Sequence, residues 1–380
     1  MTCDKIACIM STLLRGALLR GTLLRAAWLP LALVSFAWGQ QPASRLAMPA
    51  LMPCGAHAEI EVLCGTHQPE DLELAPDGKY LIATQFLNQG RGSSMGGGME
   101  LFDLAKKTFR RMEQTSQPDP SWGDPQCPGP IGDALVSHGS SLAKRNNGAW
   151  ELYVVNHGKR QSIEMYELKP AGGSWMLVWH GCVEGSHDFN DVAILPDGGF
   201  VGTYPTGLVS PGNNGAAFGG GVTGYVARWT PGKGLSEVMG TRVAYPNGVV
   251  VSADGRKMYL NVFAAREVRK YELESDSARE TGSVKVAFMP DNLTWTKAGR
   301  LLAAGVKGAR GECPDGSGRP CIQGFGVAEI NPANLQARTI FDSASAEPLI
   351  SGVSVALAVG KSIYLGAFQG DRLVKIPYRQ

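Results

Sequence analysis

The sequence predicts an all-β fold, a six-bladed β-propeller closed by an N-terminal strand. Three observations predict it. First, an apolar strand, a small turn and a second apolar strand recur six times: "LELAPDGKYLIAT", "SLAKRNNGAWELYVV", "VAILPDGGFVGTY", "VVVSADGRKMYLNV", "LTWTKAGRLLAAG" and "VALAVGKSIYLGA". Each reads as a β-hairpin, because Gly, Asn and Asp supply the backbone reversal between two runs that seek a core. Second, the turns fall near Gly78, Gly148, Gly198, Gly255, Gly299 and Gly360, mostly one blade length apart. Third, the last repeat is one strand short.

That shortfall predicts how the ring closes. Every hairpin is followed by an alternating strand: "MELFDL", "SIEMYELK", "GYVARWT", "EVRKYEL", "GVAEIN" and "DRLVKIP". A fourth strand follows the first five, as in "TFRRM" and "WMLVWHG", but after "DRLVKIP" the sequence stops at Gln380. An unpaired edge is a liability. "AEIEVL", Ala58 to Leu63, precedes the first hairpin and alternates correctly, so it is expected to complete the last blade. The one long interval, Gly78 to Gly148, places an insertion over 86–135 with "NQGRGSSMGGG" and "QPDPSWGDPQCPGP". It reads either as a lid or channel rim or as a surface insertion.

Composition suits one all-β domain or two smaller ones, and the blade repeat favours a single domain over 40–380. The chain has 380 residues with 49 Gly and 23 Pro, and 44% of it is apolar. Residues 1–39 read as a secretion signal: Lys5, Arg15, Arg20 and Arg25, then an apolar stretch, then small residues at Ala37 and Gly39. The apolar stretch is short for a membrane span, which needs about 20 residues. Without it the chain carries 32 Lys and Arg against 33 Asp and Glu. Such a balance argues against nucleic acid or an anionic membrane as partner. Six cysteines remain, an even count that suits disulfides in an exported protein. Cys313 and Cys321 flank a turn-rich loop and are the favoured pair. Cys54, Cys64, Cys127 and Cys182 leave three pairings open. Zinc is disfavoured, since no C-x-x-C or matching His pair occurs.

The polar residues just before each turn share a register. Glu70-Asp71 lies about eight residues before Gly78, Asn190-Asp191 holds the same offset from Gly198, and Asn247 the same from Gly255. Asp291-Asn292 and His138 stand close to that register before Gly299 and Gly148. The sixth repeat offers only Ser351 and Gly352. The first strand of each propeller blade lines the central channel, so equivalent positions point at one axis. Taken singly, such residues are caps or turns. Together, carboxylates and amides from four blades should meet there, and that donor mixture suits Ca²⁺.

These residues resemble the paraoxonase (arylesterase and lactonase) family and, more distantly, the regucalcin and gluconolactonase propellers. The matching stretches are "PEDLELAPDGK", "SHGSSL", "LYVVNHGKRQSIEMYEL", "FNDVAILPDGGFVGT", "YPNGVVVSADGRKMYL" and "PDNLTWTKAGRL", in family order from Glu70 to about Gly305. The resemblance implies a catalytic Ca²⁺ held by Glu70, Asn190, Asn247, Asp291 and Asn292. It implies a second, structural Ca²⁺ held by Asp71, Asp191 and the backbone near Ser140. It also implies a histidine pair, with His138 activating water and His157 orienting it. Three departures stand out. A further pocket histidine would fall near Val306, the family's long disulfide has no partner in "DRLVKIPY", and membrane-binding N-terminal helices are not evident.

The expected function is therefore a calcium-dependent hydrolase of lactones or aryl esters, with a small-molecule substrate, in a periplasmic or secreted protein. Asp291 is a rival base. No G-x-S-x-G elbow occurs, which disfavours a serine nucleophile. The alternatives are a non-catalytic, metal-stabilised propeller that binds a ligand or protein, and a strictosidine-synthase-like enzyme.

Overall fold

The structure is a computed structural model that describes residues 51–86, 97–145, 147–210, 213, 215–308, 324–343 and 349–379. These residues fall within the compact unit Ala47–Gln380. The expected signal and the Cys313–Cys321 pair lie outside the described residues. Among the described residues, no helix is long and apolar enough to cross a membrane.

Six sheets form six blades, as the hairpins predict. The first strands of the blades are Leu72–Leu74, Ser137–Lys144, Val192–Ile194, Pro246–Val251, Met289–Trp295 and Val353–Val359. Each packs against the first strand of the next blade, and the sixth packs against the first, which makes the ring. The core is correspondingly divided into six apolar clusters, one between each pair of neighbouring blades. Phe200, Trp229 and Tyr153 fill the gap between blades two and three, for example, and Leu72, Leu81 and Leu373 the gap between blades six and one. Burying a large apolar side chain contributes roughly 1.5–3 kcal/mol, so these seams hold the ring together.

Closure follows the expected route. The strand Ile60–Cys64 pairs antiparallel with the last strand, Arg372–Pro377, in the register Val62 to Val374. The sequence reading missed one strand more: Gly55–His57 folds back on Ile60–Cys64, and Cys54–Cys64 bonds the pair. Cys64 thus takes a local partner, so closure rests on strand pairing and a short covalent clip.

Beyond the blade-one strands Met99–Asp103 and Thr108–Arg111, the described part of the insertion packs on blade two. Gln114–Ser116 runs parallel to the outer strand of blade two, Ser174–Glu184. Cys127 is bonded to Cys182 on that strand. Trp122 is buried against the ring of His180, and the Arg145 guanidinium lies over the Trp122 ring, 3.9 Å from its centroid. The insertion is therefore fastened along the rim of blade two, and it hands the chain to Ser137–Lys144.

Val62 sits in the seam with Leu365 and Val374. Val62→Asp would bury an unpaired carboxylate there, and should cost about 3 kcal/mol or more in urea unfolding. An unchanged midpoint would show that this strand does not close the ring.

Candidate functional site

The first strands do not enter the sheets regularly. Their pairing is interrupted between Ser137 and Ser140, Pro246 and Val249, Pro290 and Leu293, and Val353 and Val355. Those interruptions hold His138, Asn247, Asp291-Asn292 and Ser354. In blades one and three the strand starts just after Glu70-Asp71 and Asn190-Asp191. A bulge releases a residue from the ladder and re-aims its side chain. The shared register of polar residues thus coincides with a pairing irregularity in four blades and with the residues just before the strand in the other two, positions where side chains are not held in the ladder. The fit is tight. A Cβ on Gly139 would lie 2.4 Å from Asp191 Oδ1, and one on Gly248 would lie 2.4 Å from the Asp291 carbonyl oxygen. Only glycine lets adjacent first strands approach this closely.

The structure brings the expected residues together in two levels. On the first, Asn292 Nδ2 donates to Glu70 Oε1 at 2.7 Å. The Asn247 side chain lies close enough to the Asp291 carboxylate to favour its charge. His138 Nε2 lies 3.8 Å from Glu70 Oε1, and the Gly139 amide donates to the Asn190 carbonyl at 3.1 Å. What these contacts leave undone is more telling. Glu70 Oε2 and the Oδ1 atoms of Asn190, Asn247 and Asn292 are buried with no hydrogen-bond partner. An orphaned buried acceptor costs about 1–3 kcal/mol. Four of them amount to a sizeable part of a domain's net stability. Among the described residues, only one other buried carboxylate or amide oxygen lacks a partner. It is Oδ1 of Asn261, whose Nδ2 donates to the Asp291 carbonyl at 2.7 Å.

The second level is saturated. Asp71 Oδ2 accepts the Ser140 amide at 2.7 Å and its hydroxyl at 3.0 Å, and Oδ1 accepts the Leu72 amide. Asp191 Oδ2 accepts the Val249 amide at 2.7 Å and Oδ1 the Val192 amide. Asp71 ties blade one to blade two, and Asp191 ties blade three to blade four. Below them the first strands enclose a cavity of about 1030 Å³ whose lining reaches Asp71 and Asp191 but none of the orphaned oxygens.

Electrostatics separate this axis from an ordinary core. Burial first, then the charges of Asp291, Asp71 and Asp191, push the Glu70 carboxyl well above its usual range. Burial raises Asp291 to about 7 and Asp71 to about 6. Asp191 is also held high, by burial and by the Asp71 charge. Four acids therefore resist ionisation together in one buried region. Among the described residues, no three His, Cys, Asp or Glu side chains form a metal cluster by themselves. The oxygen set reaches its number through asparagine amides, a composition that fits a hard, oxygen-seeking ion.

The two expected histidines also meet. His138 Nδ1 and His157 Nε2 are 2.9 Å apart, and His157 Nδ1 is 2.6 Å from Gln161 Oε1. Phe86 stacks on His138 with ring centroids 4.1 Å apart. Burial, and then the proximity of His157, holds His138 well below the usual histidine range. Burial lowers His157 as well, opposed by Gln161 and Asp188. Sequence reasoning missed Gln161, Phe86, Asn261 and Ser354. Ser354 is the sixth blade's contribution, in place of Ser351 and Gly352, and its hydroxyl donates to the Glu70 carbonyl at 2.5 Å. Where a further pocket histidine was looked for, Val306 is buried in a regular strand.

The family model described as SMP-30/Gluconolactonase/LRE-like region matches residues 99–319. No curated protein matches the chain. Among solved structures it is similar to a gluconolactonase from Xanthomonas campestris, at 15% identity and a TM-score of 0.50, covering 87% of this chain and 96% of that one. It is also similar to a putative gluconolactonase at 16% identity and a TM-score of 0.49, covering 86% and 93%. The periplasmic gluconolactonase of Pseudomonas aeruginosa gives 15% identity and a TM-score of 0.45, covering 78% and 77%. At these identities the structures speak to fold alone. The family model covers more than half of the sequence, and the chain belongs to the SMP-30/gluconolactonase/LRE-like family.

Proposed function

We propose that this protein is a calcium-dependent hydrolase of lactones, with aryl esters as a second substrate class, close in its site to the paraoxonases. The observation that carries the reading is the set of four buried, unpaired oxygens, on Glu70, Asn190, Asn247 and Asn292, one from each of four blades at the start of or within its first strand, with a buried histidine pair 3.8 Å from Glu70. Those four, with Asp291, would hold the ion. Bound there, Ca²⁺ would supply a Lewis acid for the ester carbonyl oxygen. A second, structural Ca²⁺ at Asp71, Asp191 and Ser140 belongs to the same proposal, although those groups already tie the blades without it. Gluconolactonase neighbours and the family's description support a lactone substrate.

The chain's own groups supply the proton chemistry. His138 is kept neutral at neutral pH by its burial. A neutral imidazole can take a proton from water at that pH, whereas an imidazolium cannot. His157 meets Nδ1 of His138 and steadies the ring as charge develops. Phe86 covers one face of His138 and limits the water around it. Asp291, raised to about 7, is the rival base, and in this reading it serves the ion instead. The Cys54–Cys64 and Cys127–Cys182 disulfides support export to an oxidising compartment.

His138→Gln should lower kcat for a γ-lactone by roughly 10²–10⁴-fold while calcium affinity and melting temperature stay near wild type. Full activity in this variant would remove His138 from the reaction. Chelation by EDTA should abolish turnover of γ-lactone and phenyl acetate, and calcium should restore it. Turnover that survives complete calcium removal would refute the reading.

The raised carboxyls also set a pH dependence for the metal-free protein. An acid whose folded pKa lies above its unfolded value favours folding below the unfolded value, and that contribution is lost as pH rises through the folded value. Asp291 moves from 3.8 to about 7 and Asp71 from 3.8 to about 6. In EDTA the melting temperature should therefore fall as pH rises from about 4 to about 7. Calcium should remove that fall. A flat profile in EDTA would show that these acids are not buried against one another.

A further inference from the structure

The histidine pair has two self-consistent proton arrangements, and its geometry alone does not select one. If His157 carries its proton on Nδ1, its Nε2 accepts from His138 Nδ1–H, and His138 Nε2 is left bare. If the protons sit on the opposite nitrogens, His138 Nε2 carries one and cannot act as a base. Histidine tautomers are selected by the hydrogen bond made at the far nitrogen. Here that bond goes to Gln161, whose Oε1 lies 2.6 Å from His157 Nδ1.

We propose that Gln161 is the positioning residue of the dyad: its side-chain oxygen accepts the Nδ1 proton of His157 and thereby leaves Nε2 of His138 free to accept a proton. This rests on the hydrolase reading for its consequence in turnover, but the tautomer itself is a property of the chain. Two features support it. The Gln161 backbone is fixed, since its carbonyl accepts the Gly185 amide at 2.9 Å. The residues on either side are locked as well. Arg160 makes a bidentate bond to buried Glu164, at 2.8 and 3.0 Å through Nη2, and Ser162 Oγ donates to the same carboxylate at 2.6 Å. Asn156 Nδ2 reaches the carbonyls of Gly158 and Arg160, both at 3.0 Å, which shapes the short turn from His157 to Gln161. The surroundings of His138 Nε2 agree as well. Glu70 Oε1 is 3.8 Å away, beyond hydrogen-bond distance, so it does not hold a proton on that nitrogen.

The test uses the full chain with ¹⁵N-labelled histidine, calcium present, and long-range ¹H–¹⁵N spectra alongside lactone kinetics. Wild type should show His157 as the Nδ1–H tautomer. Gln161→Leu should lose that signature and should lower kcat about 10–100-fold with KM nearly unchanged. Gln161→Glu keeps an acceptor oxygen and should restore both the signature and most of kcat. If Gln161→Leu retains the wild-type tautomer and the wild-type kcat, or if Gln161→Glu fails to restore the signature, the proposal is overturned. If wild type hydrolyses no lactone yet the tautomer follows Gln161 in this way, the hydrolase reading falls and the positioning role stands.

Discussion

The structure depends on one constraint: a propeller needs six first strands packed around an axis, and this chain has set carboxylates and amides on that axis. Buried polar groups must be paired, and buried charges more so. Two solutions are visible one level apart. Asp71 and Asp191 are saturated by backbone amides of the following blades, which turns their charge into blade-to-blade ties. Glu70, Asn190, Asn247 and Asn292 keep one oxygen each unpaired, and the proposed function follows from what would satisfy them.

That constraint connects fold and chemistry. Bulges in the first strands aim the side chains, and glycines behind them let adjacent strands close up. The seams between blades then hold these positions with packing that does not depend on the site. The insertion of blade two adds to this support. It is clipped by Cys127–Cys182 along the outer strand and ends at Val136, whose carbonyl accepts the His157 amide.

Much of the fold was legible because β-turn chemistry is local. Gly78, Gly148, Gly198, Gly255, Gly299 and Gly360 all adopt positive φ, so the residues that betray the turns are those the backbone requires. The closing strand was legible from a missing partner, a counting argument. The extra strand Gly55–His57 was not, since three residues of no marked alternation carry no periodic signal. Within the site, Glu70, Asn190, Asn247 and Asn292 stood out by their common distance from a turn. Ser354 did not, because a serine among apolar residues looks like ordinary strand composition. Gln161 and Phe86 act through contacts made across a turn or between blades, and only three dimensions reveal such contacts.

The most direct measurement is crystallographic, on crystals grown with calcium and with data collected for its anomalous signal. The account predicts an ion about 2.3–2.6 Å from Glu70 Oε2 and from the Oδ1 atoms of Asn190, Asn247 and Asn292, with Asp291 beside it. Calcium bound elsewhere, with these four oxygens turned to protein donors, would contradict it.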